Sequence, residues 1–493
     1  MPCHKHDWMN QKKEATYGHV LKFTGVFTGV QGIKLLASLI RNMLSSKLLG
    51  TIGFGLIGIY SNITEFVTSC TNCGIPINTT RRSSELYEEE NEEALAEFAC
   101  IVRTWCVWTA ALALLFTVLL SPMLSYFFFE KRWDCWWEVV TLAPIPMLLL
   151  VTEGECSLLK GIRRLKWVAS IETFTAITTL LTTIPLYYFM GLRGIVLALI
   201  LSTLCGLLLH FHYSTRALPY RIRPFSMDIV RKGWPMVRHG LPYVVAGIAT
   251  SGYTMLVPII ITASGTVSDV GLYRAAYALM AGYAGMAFVA LEADYYPRLS
   301  AAVHERGRMN ECINQQVRVC VMIITPLLIL LSACMPWVIR ILYTTEFLAV
   351  EKIALCAVFY SFFRALMLPV AYTALAKGKS MVYLTMEIAY SVVSCFIVWF
   401  GWTSWGLNGL GIALSLSALF DMAMILCCYG RLYGCRLQRD TVAGAAVQFV
   451  LLGLALAACL QPVVWIRFAV SVPVLCLSVW RSVAMFTSDK RKQ

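Results

Sequence analysis

Long apolar runs separated by short polar, basic loops organise this chain. A membrane-crossing helix needs about 20 mostly apolar residues, because the hydrocarbon slab is about 30 Å thick and each helical residue rises about 1.5 Å. Fourteen windows meet that length, at approximately 23–41, 51–76, 99–121, 138–158, 168–190, 194–213, 239–262, 270–297, 319–339, 353–376, 382–401, 407–430, 441–460 and 463–480. They lack the period-two alternation of barrel strands, the other way a backbone satisfies its hydrogen bonds in lipid. The predicted fold class is therefore all-α, a polytopic membrane protein with about 14 transmembrane helices.

Lys and Arg orient that map. The N-terminus, the even-numbered loops and the C-terminus hold 29 of them, the opposite flanks hold 8, and four (Lys34, Arg103, Arg274 and Arg364) fall inside spans. The positive-inside rule places the richer side, with both termini, in the cytoplasm. One missed or extra span in the middle would exchange the sides of every later loop and erase the bias, so the count of fourteen gains support from it.

Composition agrees. The 493 residues are 58% hydrophobic and 14% charged, with a mean hydropathy of +0.67, against about 25% charge in soluble chains. The net charge of +13 is spread over many short loops, which is the pattern of membrane topology, and no nucleic-acid partner is expected. Most of the 18 cysteines lie in apolar runs, where cysteine acts as a small hydrophobe. Only Cys135 sits clearly in an outward loop, which excludes an outward disulfide framework; Cys70 and Cys73 form a lone CxxC at a span end. No small-residue cleavage site follows the first apolar run, so that span is expected to remain. The acidic run "ELYEEENEEALAEF" (85–98) reads as a solvated cytoplasmic helix or as a docking surface.

One apolar stretch is written twice. "GLRGIVLALILSTL" (191–204) and "GLNGLGIALSLSAL" (406–419) are identical at 8 of 14 positions. Other landmarks recur in register: Lys160-Gly161 with Lys377-Gly378, Glu172 with Glu387, Gly55-Leu56 with Gly271-Leu272, and Lys22 with Arg238. A six-helix unit of about 215 residues is thus repeated. Six is even, so both copies share one orientation, a parallel repeat about an axis along the membrane normal. The expected organisation is a first lobe (1–214), a cytoplasmic linker (215–238), a second lobe (239–430), and two further helices with a cytoplasmic tail (431–493). Two such lobes around a central cavity form an alternating-access transporter. The doubled residues themselves read as helix-packing residues.

The stretch "VSDVGLYRAAYALMAGYAGMAFVALEADYYPRLSAAV" (267–303) resembles the eighth span and following loop of the polysaccharide (O-antigen) flippases, from a Gly-Leu-Tyr start to a Pro-Arg-Leu-Ser end at 297–300. "SSKLLGTIGFGLIGIYSNITEF" (45–66) resembles that family's Leu-Gly-x-x-Gly-x-Gly approach to the second span, and the paired GLxG starts are also typical of it. The resemblance covers most of 15–430. It implies membership of the multidrug/oligosaccharidyl-lipid/polysaccharide exporter superfamily. It also implies an activity: moving an undecaprenyl-pyrophosphate-linked oligosaccharide (O-antigen, capsule or exopolysaccharide repeat units) across the bacterial inner membrane. The partners implied are that lipid-linked oligosaccharide, membrane lipids, H⁺ or Na⁺ as coupling ion, and other polysaccharide assembly proteins. No cofactor and no metal are expected.

A pyrophosphate cargo needs a cationic, polar cavity. Lys34 and Arg364 lie near the middles of spans 1 and 10, where a charge costs about 2.5–3.5 kcal/mol on insertion scales and turns toward the bundle interior. Arg41 and Arg274 lie where an anion leaving the cavity would meet them. These four are the candidate pyrophosphate ligands. The same cations can instead form internal ion pairs with Glu65, Glu172, Asp269, Glu387 or Asp421. Gln31, Asn42, Tyr60, Asn62, Tyr253, Tyr273 and Tyr277 are candidates for a glycan path, and Glu65, Glu172, Glu387 and Asp421 for ion coupling. Arg103, Glu292 and Asp294 are expected at the membrane interface.

Three other readings compete. A cation-coupled multidrug exporter usually needs an acid in span 1 or 7, and neither span has one. A lipid II flippase would share the cationic logic. A membrane glycosyltransferase or polymerase needs catalytic carboxylates or a sizeable outward loop, which the short outward loops do not provide; no enzyme is expected.

Overall fold

Two glycines with nearly the same backbone angles mark the internal repeat. Gly191 has φ 57° and ψ −134°, and Gly406 has φ 56° and ψ −137°. Both open the doubled stretch, and each turns the chain back through a left-handed conformation that a Cβ would strain. The fourth residue of each stretch is also fixed by geometry. A Cβ on Gly194 would meet the Leu186 carbonyl oxygen at 2.6 Å, and one on Gly409 the Gly401 carbonyl oxygen at 1.9 Å. The first glycine therefore makes the bend, and the fourth lets the returning helix cross the outgoing one at backbone contact.

A computed structural model describes the backbone of residues 4–128, 136–223, 226–282, 285, 288, 295–296, 298–461 and 463–492, with side chains from 32 to 484 inside those ranges except 464. Regular structure there is all helical. The first lobe comprises α1 (His4–Thr71), α2 (Ile75–Glu88), α3 (Glu92–Phe128), α4 (Trp136–Val140), α5 (Pro144–Gly161), α6 (Leu165–Met190) and α7 (Gly194–Ala217). The second comprises α8 (Met227–Thr262), α9 (Val267–Tyr277), α10 (Arg306–Leu342), α11 (Val350–Cys356), α12 (Val358–Ala376) and α13 (Ser380–Tyr433). Two more helices, α14 (Arg439–Cys459) and α15 (Val464–Lys492), pack against α10.

Ten described helices are long and apolar enough to cross a membrane. Three of these segments (Gly32–Thr71, Leu165–Ala217 and Ser380–Tyr433) are two spans each, folded at Gly50, Gly191 and Gly406. The ten thus hold thirteen of the fourteen windows. The eighth window begins in α9 and a π-helical turn (Ala278–Gly282) and then leaves the described residues. The predicted all-α architecture of two six-helix lobes plus two C-terminal helices is what the chain adopts.

One element starts earlier than its hydrophobicity suggests. Residues 215–238 read as a linker, but α8 is helical from Met227. Its polar first turns pack on the first lobe: the Trp105 ring lies where a Gly233 Cβ would be, 2.0 Å from Nε1, and Asn78 Nδ2 donates to the Met236 carbonyl at 2.8 Å. This packing lengthens the helix beyond its apolar window.

The two lobes meet at a pair of repeat-related glycines. A Cβ on Gly55 would lie 2.2 Å from the Val267 carbonyl oxygen, and one on Gly271 would lie 2.1 Å from that of Thr51. Around this crossing, Ser268 Oγ donates to Thr51 Oγ1 at 2.8 Å, Ser46 Oγ to the Leu342 carbonyl at 3.0 Å, and the Thr51 N–H to Glu346 Oε2 at 3.3 Å. These contacts join the lobes at the end poor in basic residues.

A side chain at Gly271 has no room without separating the lobes. G271V is expected to cost about 1–3 kcal/mol as overpacking and to lower the melting temperature of the detergent-purified protein. G307A, with open space around it, is the neutral control in the same melt.

Candidate functional site

Three helix faces of the first lobe build a polar chamber inside an apolar bundle. Residues three, four, seven and eleven apart share one helix face. On α1 that spacing aligns Lys34, Ser38, Arg41 and Ser45; on α6, Glu172, Thr175, Thr179 and Thr183; on α7, Ser202, Thr203, Gly206 and His210. These residues line two adjoining cavities of about 410 and 310 Å³, which share Arg41, Thr175, Thr179 and His210. The hydroxyl hydrogens of Thr183, Ser202 and Thr203 go to carbonyls one turn back, at 2.6, 2.6 and 2.8 Å. Helix bonding is thus kept while oxygen lone pairs face the chamber.

The second lobe contributes one residue. Arg274, on α9, passes over the Phe54 ring at 5.5 Å through space that a Cβ on Gly58 would take, 2.9 Å from Arg274 Cδ. Its Nη1 is buried with no hydrogen-bond partner among the described residues. Arg41 is close enough for their charges to repel. Among the described residues no carboxylate lies within ion-pair distance of either. Two facing, uncompensated guanidiniums raise the energy of the chamber, and a bound anion relieves it, bidentately where its oxygens allow.

Lys34 and Glu172 show the repeat at work. Lys34 Nζ donates to Glu172 Oε2 at 2.9 Å, at the cavity wall. At the corresponding positions of the second lobe, Thr250 Oγ1 donates to Glu387 Oε2 at 3.1 Å. The same contact joins the first and fifth helices of each lobe, with a charge in one and a neutral hydroxyl in the other. Lys34 thus lines the chamber while ion-paired to Glu172.

Arg364 lies elsewhere. It sits in the second lobe among tyrosines, with Nη1 donating to Tyr360 Oη at 3.3 Å and the guanidinium 5.8 Å from that ring's centroid. Tyr277 packs on Tyr360 at 6.1 Å and on Tyr273 at 6.2 Å, while Tyr253 packs on Tyr390 at 5.9 Å. Asp421, 7% exposed, is within Coulombic reach of Arg364 and of Glu387.

The structure thus gathers Lys34, Arg41, Asn42, Glu172 and Arg274 in one chamber, and Arg364, Tyr253, Tyr273, Tyr277, Glu387 and Asp421 in a second cluster. Three candidates stand apart from both. Tyr60 is buried in the apolar core, Asn62 Nδ2 donates to the Thr254 carbonyl at 2.9 Å between the lobes, and Glu65 is exposed, with no ion pair among the described residues. Asp269 caps α9 through Thr266. Gln31, Glu292 and Asp294 lie outside the residues whose side chains are described.

Arg103 is turned into the protein: it is 3% exposed and grips Glu155 with Nε at 2.8 Å and Nη2 at 3.1 Å, with Ser214 and the Pro219 carbonyl completing its bonds. The hydrophobic window hides this pair, because Arg and Glu come from different helices. The hydroxyl face and His210 were also missed. The spacing of Thr175, Thr179 and Thr183 along one helix stripe is the signal that could have found them.

This fold has solved counterparts. A structure described as lipid II flippase MurJ in an inward closed conformation superposes with a TM-score of 0.70 at 13% identity, covering 94% of this chain and 99% of that one. An inward-facing multidrug resistance MATE family transporter of the MOP superfamily gives 0.64 at 14% identity, covering 83% and 97%. A MOP superfamily transporter from Pyrococcus furiosus gives 0.56 at 12%, covering 90% and 96%. The chain shares the fold of these solved structures. Residues 45–352 match the family model described as "Polysaccharide biosynthesis protein", and the chain belongs to that family. No curated protein matches it in sequence.

The two ion pairs differ in burial, and so in expected cost. E155Q leaves Arg103 buried without its counter-charge, which costs about 3–5 kcal/mol. E172Q loosens a pair whose side chains are 36% and 26% exposed, in the range of about 0–1 kcal/mol. Melting temperatures of the two variants, measured in one detergent, give the comparison.

Proposed function

We propose that this protein moves an undecaprenyl-pyrophosphate-linked oligosaccharide, a repeat unit of O-antigen, capsule or exopolysaccharide, from the inner to the outer leaflet of the bacterial inner membrane. The observation that carries this reading is the pair Arg41 and Arg274: one from each lobe, facing one chamber, uncompensated by acid. A diester pyrophosphate supplies the missing negative charge. The hydroxyl faces of α6 and α7 suit the polar sugar beside it, and the tyrosines around Arg364 offer faces on which sugar rings stack. The basic-rich face, with both termini, lies in the cytoplasm on this reading.

Alternating access follows from the contacts at the basic-poor end. Arg274 enters from the second lobe, so the anion bridges the lobes while bound. Separation of Gly55 from Gly271 opens the chamber outward and pulls Arg274 away from Arg41, which weakens the grip on the pyrophosphate as the exit opens. A drug cation meets like charge in this chamber, and the multidrug reading loses support for that reason. Glu387 and Asp421, near Arg364, are the candidate ion carriers in the second lobe; Glu172 is engaged by Lys34.

Deletion in the host is expected to accumulate undecaprenyl-linked repeat units on the inner leaflet. Accumulation of lipid II instead assigns the cargo to peptidoglycan synthesis, and unchanged glycans with raised drug sensitivity overturn the proposal. R41A and R274A each remove a charge-assisted contact worth about 1.5–3 kcal/mol. Each is expected to cut export roughly tenfold or more at normal protein level, as are K34A and R364A; wild-type export in R41A and R274A removes the pyrophosphate site.

A further inference from the structure

A titratable ring also lines the chamber. His210 is 7% exposed and lines both adjoining cavities. Its Nδ1 lies 2.8 Å from the Gly206 carbonyl oxygen. A carbonyl only accepts, so Nδ1 carries the hydrogen, and the neutral ring presents Nε2 as a bare lone pair. Nε2 has no hydrogen-bond partner among the described residues.

Charged groups face this ring from each helix around it. Glu172 comes from α6, Glu155 and Lys160 from α5, Lys34 and Arg41 from α1, and Arg274 from α9 across the chamber. The acids are committed: Glu172 to Lys34 and Glu155 to Arg103. Among the described residues no free counter-charge remains for a further positive charge on the ring. A diphosphate seated on Arg41 and Arg274 provides one.

We propose that His210 is a third anion ligand, recruited by the cargo: on loading, Nε2 takes a proton and donates it in a hydrogen bond to a phosphate oxygen. This rests on the pyrophosphate reading of the chamber. One Nε2–H bond forms, no cargo bond breaks, the proton comes from water on the loading side, and it returns to water on release. Cargo and proton therefore favour each other. Acid on the loading side promotes loading, while acid on the release side retains cargo. His210 is accordingly a loading ligand and not the carrier of a proton that drives export.

The test is calorimetry on the full-length protein in lipid nanodiscs, with farnesyl-diphospho-N-acetylglucosamine as the probe. That diphosphate diester keeps both negative charges between about pH 5 and pH 8, the range in which an imidazole titrates, so any slope belongs to the protein. Wild type is expected to bind about tenfold tighter at the acid end, the effect of about one unit of linkage, and to take up protons from a weak buffer. H210N keeps an amide N–H for the Gly206 carbonyl but cannot titrate; it and H210Q are expected to bind with a flat pH profile and no uptake. A flat wild-type profile, or a slope retained in both variants, overturns the proposal. If R41A and R274A still abolish binding in that case, the pyrophosphate reading stands without His210. If they bind normally, both fall.

Discussion

A charge inside hydrocarbon must be neutralised, wetted or put to use, and this molecule handles each of its intramembrane cations differently. Arg103 is neutralised outright by Glu155 in a fully buried, bidentate pair. Lys34 is paired with Glu172 at a cavity wall. Arg364 lies among tyrosine rings with Asp421 in reach. Arg41 and Arg274 have no acid within ion-pair distance among the described residues, and they share a chamber lined by hydroxyls. The cost of burying charge therefore sorts the cations into those that hold the protein together and those free to hold something else.

The internal repeat makes that sorting visible. The two lobes share a scaffold down to single backbone angles, as at Gly191 and Gly406. Chemistry diverges on that common frame. Lys34 in one lobe becomes Thr250 in the other, with the carboxylate partner retained. Arg274 occupies space granted by Gly58, its own counterpart in the first lobe. One lobe thus gathers cations and hydroxyls, while the other gathers aromatic rings and carboxylates. The proposed cargo, with an anionic head and a polar glycan, has two different ends to accommodate, and two chemically different lobes suit it.

Much of this was legible in the chain. Window length and loop charge yield the span count, because lipid thickness and the positive-inside bias act on local composition. GLxG recurs at a single offset, which marks the repeat, but the turning role of Gly191 and Gly406 is not written in it. The start of α8 could not be read either, because its first turns are polar and are held in helix by Trp105 and Asn78 from other elements. Nor could Arg103's partner be read, since Glu155 lies on another helix and nothing local marks the pair.

By itself, the sequence determined the all-α membrane class, the fourteen spans, the parallel repeat and the presence of buried cations, all properties of local composition and spacing. Only the tertiary structure decided which cations share a chamber. Lys34, Arg41 and Arg274 converge because Gly55 and Gly271 let the lobes approach to backbone contact, and Arg364 stays in a separate cluster because its helix belongs to the second lobe's core. Spacing along a helix says which residues share a face. Which faces meet depends on how closely two backbones can pack, and that is settled between helices far apart in the chain.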